Sequence, residues 1–145
     1  MMALCLTGLV VPAMANEPTA RQNPADTIRP PTTVKNIMNA VIAPQSDVLW
    51  SPGEPKTDGD WLRLENAAIA IQVAGSMLTV PSTDRRDREY QRLPVWNTLT
   101  SEMRKASISA MASIRSRDLD ALFVAGNDLY TPCETCHLAT YQQTE

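Results

Sequence analysis

Apolar residues in this chain recur at helical steps over three long stretches and one shorter one. Between Asp60 and Thr79, the residues Trp61, Leu64, Ala68, Ile71, Gly75 and Leu78 follow alternating steps of three and four, which stacks all of them on one stripe of a helix. Pro81 stands just beyond its end. From Pro94, which suits a first helical turn, Trp96, Leu99, Met103, Ala106, Ala110 and Ser113 repeat the rhythm. Asp118 suits the cap of a further helix, in which Leu119, Leu122, Gly126 and Leu129 keep the same steps. Cys133 and Cys136 occupy the next two positions of that rhythm, so the thiols extend an inward-facing stripe. Earlier in the chain, Thr32 or Thr33 can cap a helix with Val34, Ile37, Met38 and Val41 on one face, predicted to end at Pro44.

Between these stretches the punctuation is clear. Pro44, Pro52, Gly53, Pro55 and Gly59 predict a loop from Pro44 to Gly59, although PQSDVLW can make a helical turn that brings Trp50 inward. The stretch STDRRDREYQR alternates both signs of charge and reads as a solvated connection, its carboxylates Asp84, Asp87 and Glu89 showing no pattern of burial. Pro132 cannot donate to the carbonyl of Asp128, while Thr131-Pro132-Cys133-Glu134 has the form of a capping box, so a kink or restart is predicted at residues 130–132. No strand-period run or Gly-rich phosphate loop competes. Four amphipathic segments with a very short link between the last two predict an all-α fold, an antiparallel up-down-up-down four-helix bundle occupying residues 32–145.

Residues 1–15, MMALCLTGLVVPAMA, form an uncharged apolar run ending in a small-x-small pattern, which predicts a secretory signal peptide and a periplasmic protein. The run is shorter than the ~20 residues of a membrane span, and Pro12 interrupts it. Cleavage there removes Cys5. Residues 16–31 carry four prolines and few apolar side chains, which predicts an extended arm. The net charge of −3, with no basic stripe, argues against a nucleic-acid partner.

The chemistry concentrates in T-P-C-E-T-C-H, where the only histidine of the chain, His137, adjoins Cys133 and Cys136. C-x-x-C-H is the attachment signature of c-type haem. Two thiols three residues apart can each bond one vinyl group at the porphyrin edge, and the neighbouring imidazole can ligate the iron as its proximal ligand. A zinc site needs four ligands and finds three. A thiol-disulfide enzyme usually sets C-x-x-C after a strand in a βαβ unit, which is absent here. A structural Cys133–Cys136 disulfide in a helical interaction module would close only a tiny loop and leave His137 unexplained. With the only histidine committed to iron, no Ser-His-Asp set forms, and no enzymatic role is expected.

An exported, helical chain of this size with one C-x-x-C-H close to its end resembles the cytochrome c-prime family and its methionine-ligated low-spin relatives. The resemblance implies one covalent haem c, with the first helix supplying the distal residue. It makes Met38 the candidate distal ligand, Met77, Met103 and Met111 core filler, and Lys35 a solvent-facing residue. With Met38 bound the protein is an electron carrier served by a redox partner protein. With the site open and lined by Val34, Ile37, Met38 and Val41, it binds a small gas ligand such as NO or CO. Trp50, Trp61 and Trp96 are candidate pocket walls, buried core being the expected place for at least two. Family members are often dimers, which implies a homodimer as one arrangement. Two departures stand out: Thr140 and Tyr141 replace the family's aromatic-basic pair, and Pro132 directly precedes the first cysteine.

Overall fold

The computed structural model describes residues 32–141, and the side chains of residues 32–140. The expected signal peptide, residues 1–15, and the expected arm, residues 16–31, lie outside the described residues. Every regular element among the described residues is helical. The first, α1, is one rod in three pieces: an α-turn Val34–Ile37, a π-helical segment Met38–Ile42, and an α-segment Ala43–Trp50. Then come α2 (Asp58–Met77), α3 (Arg85–Gln91), α4 (Trp96–Arg115) and α5 (Leu119–Tyr141). α1 and α4 each pack against both α2 and α5.

The predicted stripes form the core. Leu64, Ala68, Ile71 and Leu78 from α2 and its cap are sealed from solvent, as are Trp96, Met103, Ala106 and Ala110 from α4 and Leu122 and Leu129 from α5. Burying each large aliphatic side chain of this set contributes roughly 1.5–3 kcal/mol relative to leaving it in water. Gly75 belongs to the stripe for a reason of shape, since a Cβ there would come within 2.8 Å of the Arg104 side chain and 2.9 Å of Met103 Cε. The missing side chain lets the stem of Arg104 lie across α2.

Caps account for where the helices begin. The Thr33 hydroxyl accepts the Asn36 N–H at the start of α1. At α2 a reciprocal box joins Thr57 and Asp60, and the Thr57 N–H, its hydroxyl and the Lys56 N–H together hold the Asp60 carboxyl below its ordinary 3.8. Asp118 caps α5 by accepting the Ala121 N–H at 2.9 Å. Its own N–H bonds back to the Ser113 carbonyl at 2.9 Å, and that of Arg117 to Ile114 at 3.0 Å, the Schellman pattern that ends α4.

Three expectations are corrected. α1 does not stop at Pro44; it runs to Trp50, because the π segment widens the helix just before the proline and gives its ring room. The solvated connection contains the helix α3, capped by Asp84, and its Asp87 is buried at 4% exposure. α5 runs unbroken through Pro132 with no restart: Glu134 accepts from the Tyr130 hydroxyl at 3.3 Å instead of closing a capping box. Asp128, whose carbonyl loses its donor to the proline, is exposed, so water can replace it.

Arg117 closes α4 with φ at 57°, a left-handed conformation that a Cβ disfavours. Arg117→Gly should therefore raise the unfolding free energy by about 1 kcal/mol in denaturant titrations, even though it removes the exposed Arg117–Asp58 ion pair, which contributes little.

Candidate cofactor site

Both thiols sit in the last turns of α5. Spaced three apart on an unbroken helix, Cys133 and Cys136 share its inner face, half-buried and packed against the core cluster, and both are free. His137, the next residue, is turned further round the helix and is exposed. Burial pushes the Cys133 thiol from its ordinary 9.0 up to about 11, with Cys136 adding to the shift, and burial also raises Cys136. Both are therefore protonated at neutral pH.

Beside them lies a cavity of about 500 Å³ that brings Met38 of α1 together with Cys133, Cys136 and His137 of α5. Its remaining walls are largely apolar and include Ile42 and Trp50 from α1 and Trp96, Leu99 and Met103 from α4. Both indoles are pinned: Trp50 Nε1 donates to the Gly126 carbonyl at 3.0 Å and its ring meets Tyr130 edge-on, while Trp96 Nε1 donates to the Leu78 carbonyl at 3.1 Å and its ring stacks on Tyr90. A smaller cavity of about 320 Å³ shares Met38, Trp96, Cys136 and His137 and adds Lys35, Arg86, Asp87 and Tyr90.

One polar atom in the larger cavity lacks a protein partner. Ser46 is 1% exposed and its Oγ makes no hydrogen bond, whereas Ser76, Ser107, Ser113 and Ser116 all donate back to carbonyls of their own helices. An unsatisfied buried hydroxyl costs about 1–3 kcal/mol, which a guest offering an acceptor atom would offset. The volume, the apolar walls and the few polar and sulfur atoms among them are the general features of a small-molecule pocket. Among the described residues, no group of three or more His, Cys, Asp or Glu side chains is arranged to hold an ion by itself.

Of the sequence-predicted site residues, Cys133, Cys136, His137 and Met38 come together. The predicted distal lining does not. Ile37 is buried in the core, Val41 packs against it, and Val34 reaches only the smaller cavity. The face toward the larger cavity instead runs from Met38 through Ile42, Ser46 and Trp50, four residues apart along the rod, while Val34 and Ile37 lie in the turn before it. Met103, expected only as filler, also lines that cavity, whereas Trp61 packs on the core away from it. Asp87 and Ser46 escaped the sequence reading, although Asp84 three residues before Asp87 is a cap signal and Ser46 lies four residues past Ile42.

No protein-family model, curated protein or solved structure matches the chain.

The raised thiols fix how the cofactor-free protein responds to base. The unfolded chain ionises Cys133 near 9 and the folded chain near 11, so unfolding releases a proton in that window and stability falls as pH rises through it. Alkylation of cofactor-free protein, followed by mass spectrometry, should show Cys133 reacting with a midpoint near 11 in the native state and near 9 in denaturant.

Proposed function

We propose that this chain is an exported monohaem c-type cytochrome of the c-prime type, built on an antiparallel up-down-up-down four-helix bundle, and that it carries single electrons. One observation carries the reading: Met38 and the whole C-x-x-C-H set, drawn from helices at the two ends of the described chain, line one apolar cavity of about 500 Å³. The bundle topology is supported by α1 and α4 each packing on both α2 and α5, and by the link Ser116 to Asp118, too short to let α5 run on in the direction of α4.

In this reading each chain residue has a task. Cys133 and Cys136 would hold the haem through two thioether links, each thiol adding S–H across one vinyl group without an oxidant, and His137 and Met38 would be the residues that ligate its iron. Haem, when bound, supplies the one-electron couple that the protein carries. The hydrogen-bonded indoles of Trp50 and Trp96 would flank the bound group with fixed apolar walls. The expected periplasmic location rests on residues 1–15 alone. Among the described residues, no helix is long and apolar enough to cross a membrane.

A second reading, a five-coordinate binder of NO or CO, is favoured by the apolar surroundings of Met38, where Ile42 and Leu99 suit a small uncharged ligand. One experiment separates the two. Protein made in a host that attaches haem should carry one haem by intact mass, and the Cys133→Ala/Cys136→Ala variant should carry none covalently. The ferric form should be low-spin and Met38→Ala high-spin. A high-spin parent that binds CO at once, with Met38→Ala spectrally identical, selects the gas-binding reading, and colourless parent protein removes both.

A further inference from the structure

Asp87 is a buried carboxylate to which the site described above gives no task. It lies on α3, yet its Oδ2 accepts the Val34 N–H at 3.0 Å and the Ser82 hydroxyl at 2.9 Å. Val34 is the first residue of α1, so a side chain from 53 positions away in sequence satisfies one of the donors that a helix start leaves unpaired, and sets a negative charge at the positive end of the helix. Asp87 and Met38 also line the same smaller cavity, which His137 and Cys136 share.

The mechanical setting gives this contact its consequence. Val34–Ile37 is the first turn of the rod that runs on to Trp50, the end where a helix leaves its N–H groups unpaired, and the π segment follows at once with Met38 as its first residue. Met38 therefore stands at the junction between a short anchored turn and a widened one. Thr33 ties this turn to itself through Asn36, and Val34 and Ile37 bury apolar surface, but the hydrogen bond from Val34 to Asp87 is the polar tie that joins it to another helix.

We propose that Asp87 is a positioning residue that holds the first turn of α1 in place and so keeps Met38 on the iron, making the Val34–Asp87–Ser82 latch the device that selects a closed electron carrier over an open gas binder. This rests on the reading of Met38 as the distal ligand. The test uses the haem-loaded full chain with added CO as the probe. Relative to the parent, Asp87→Ala should bind CO about tenfold faster in the ferrous form and lose part of the low-spin ferric spectrum, since a charge-assisted hydrogen bond at a helix start shifts a local two-state equilibrium by about that factor. Asp87→Asn, which keeps an acceptor oxygen but not the charge, should fall between the parent and Asp87→Ala. In the Met38→Ala background, Asp87→Ala should add nothing to the CO rate, because its effect runs through Met38. Should Asp87→Ala not fold, Ser82→Ala removes one bond of the latch and should move spectrum and rate in the same direction by a smaller factor. If these variants only lower the melting temperature while Met38→Ala alone changes the spectrum, the latch is overturned and the ligation stands. If Met38→Ala is itself silent, both fall together.

Discussion

Pro44 has no N–H to give, and a regular α-helix carried through it would press its ring against the carbonyl of Ala40. α1 absorbs this constraint by widening into a π turn over Met38–Ile42, and much of the site follows from that adjustment. Met38, Ile42, Ser46 and Trp50, four apart along the continued rod, line one cavity, and Leu49 is buried in the core. π turns concentrate where a helix must present a side chain that regular spacing would turn away. Here the presented side chain is a thioether facing a cavity that also holds two thiols and an imidazole.

The core divides the rod-like fold into two regimes. Where α2 packs on α4 the buried residues include Ala67, Ala68 and Ala74 of the one and Ala106 and Ala110 of the other, and Gly75 leaves room for the Met103 and Arg104 side chains. Small residues make this contact tight, since little side-chain volume separates the two helices. Larger residues line the cavity between α1, α4 and α5, among them Trp96, Leu99 and Met103, and they leave a cleft between the helices. A half-open apolar cleft with hydrogen-bonded indoles in its walls is the kind of place where small ligands are held.

Much of this was legible in the amino-acid order. The stripes of α2, α4 and α5 were read residue by residue, because steps of three and four leave few other arrangements, and the inward placement of Cys133 and Cys136 came with them. The cap at Asp118 was legible for the same local reason. What escaped was non-local or exceptional. A proline after an amphipathic turn signals an end in most helices, and only packing against α2 and α5 makes a π turn the better solution here. Pro132 misled in the same way, since its freed carbonyl partner lies on an exposed residue and the helix continues. Asp87 sat in a run of alternating charge whose pattern says solvent, and its burial depends on the start of α1 arriving from 53 residues away. No periodicity encodes that meeting.

The double use of Asp118 sets an order on assembly. Its N–H closes α4 while its carboxylate opens α5, so the two helices share a hinge with no slack, and the pair can form from contacts close in sequence. Lengthening the chain there by even one residue would separate the two duties, whereas the longer stretch between Trp50 and Asp58 could absorb an insertion with little entropic penalty. The C-terminal helix pair, carrying both thiols, is thus joined by contacts closer in sequence than those that seat α1. The methionine arm would then close last over a pocket already shaped to receive it.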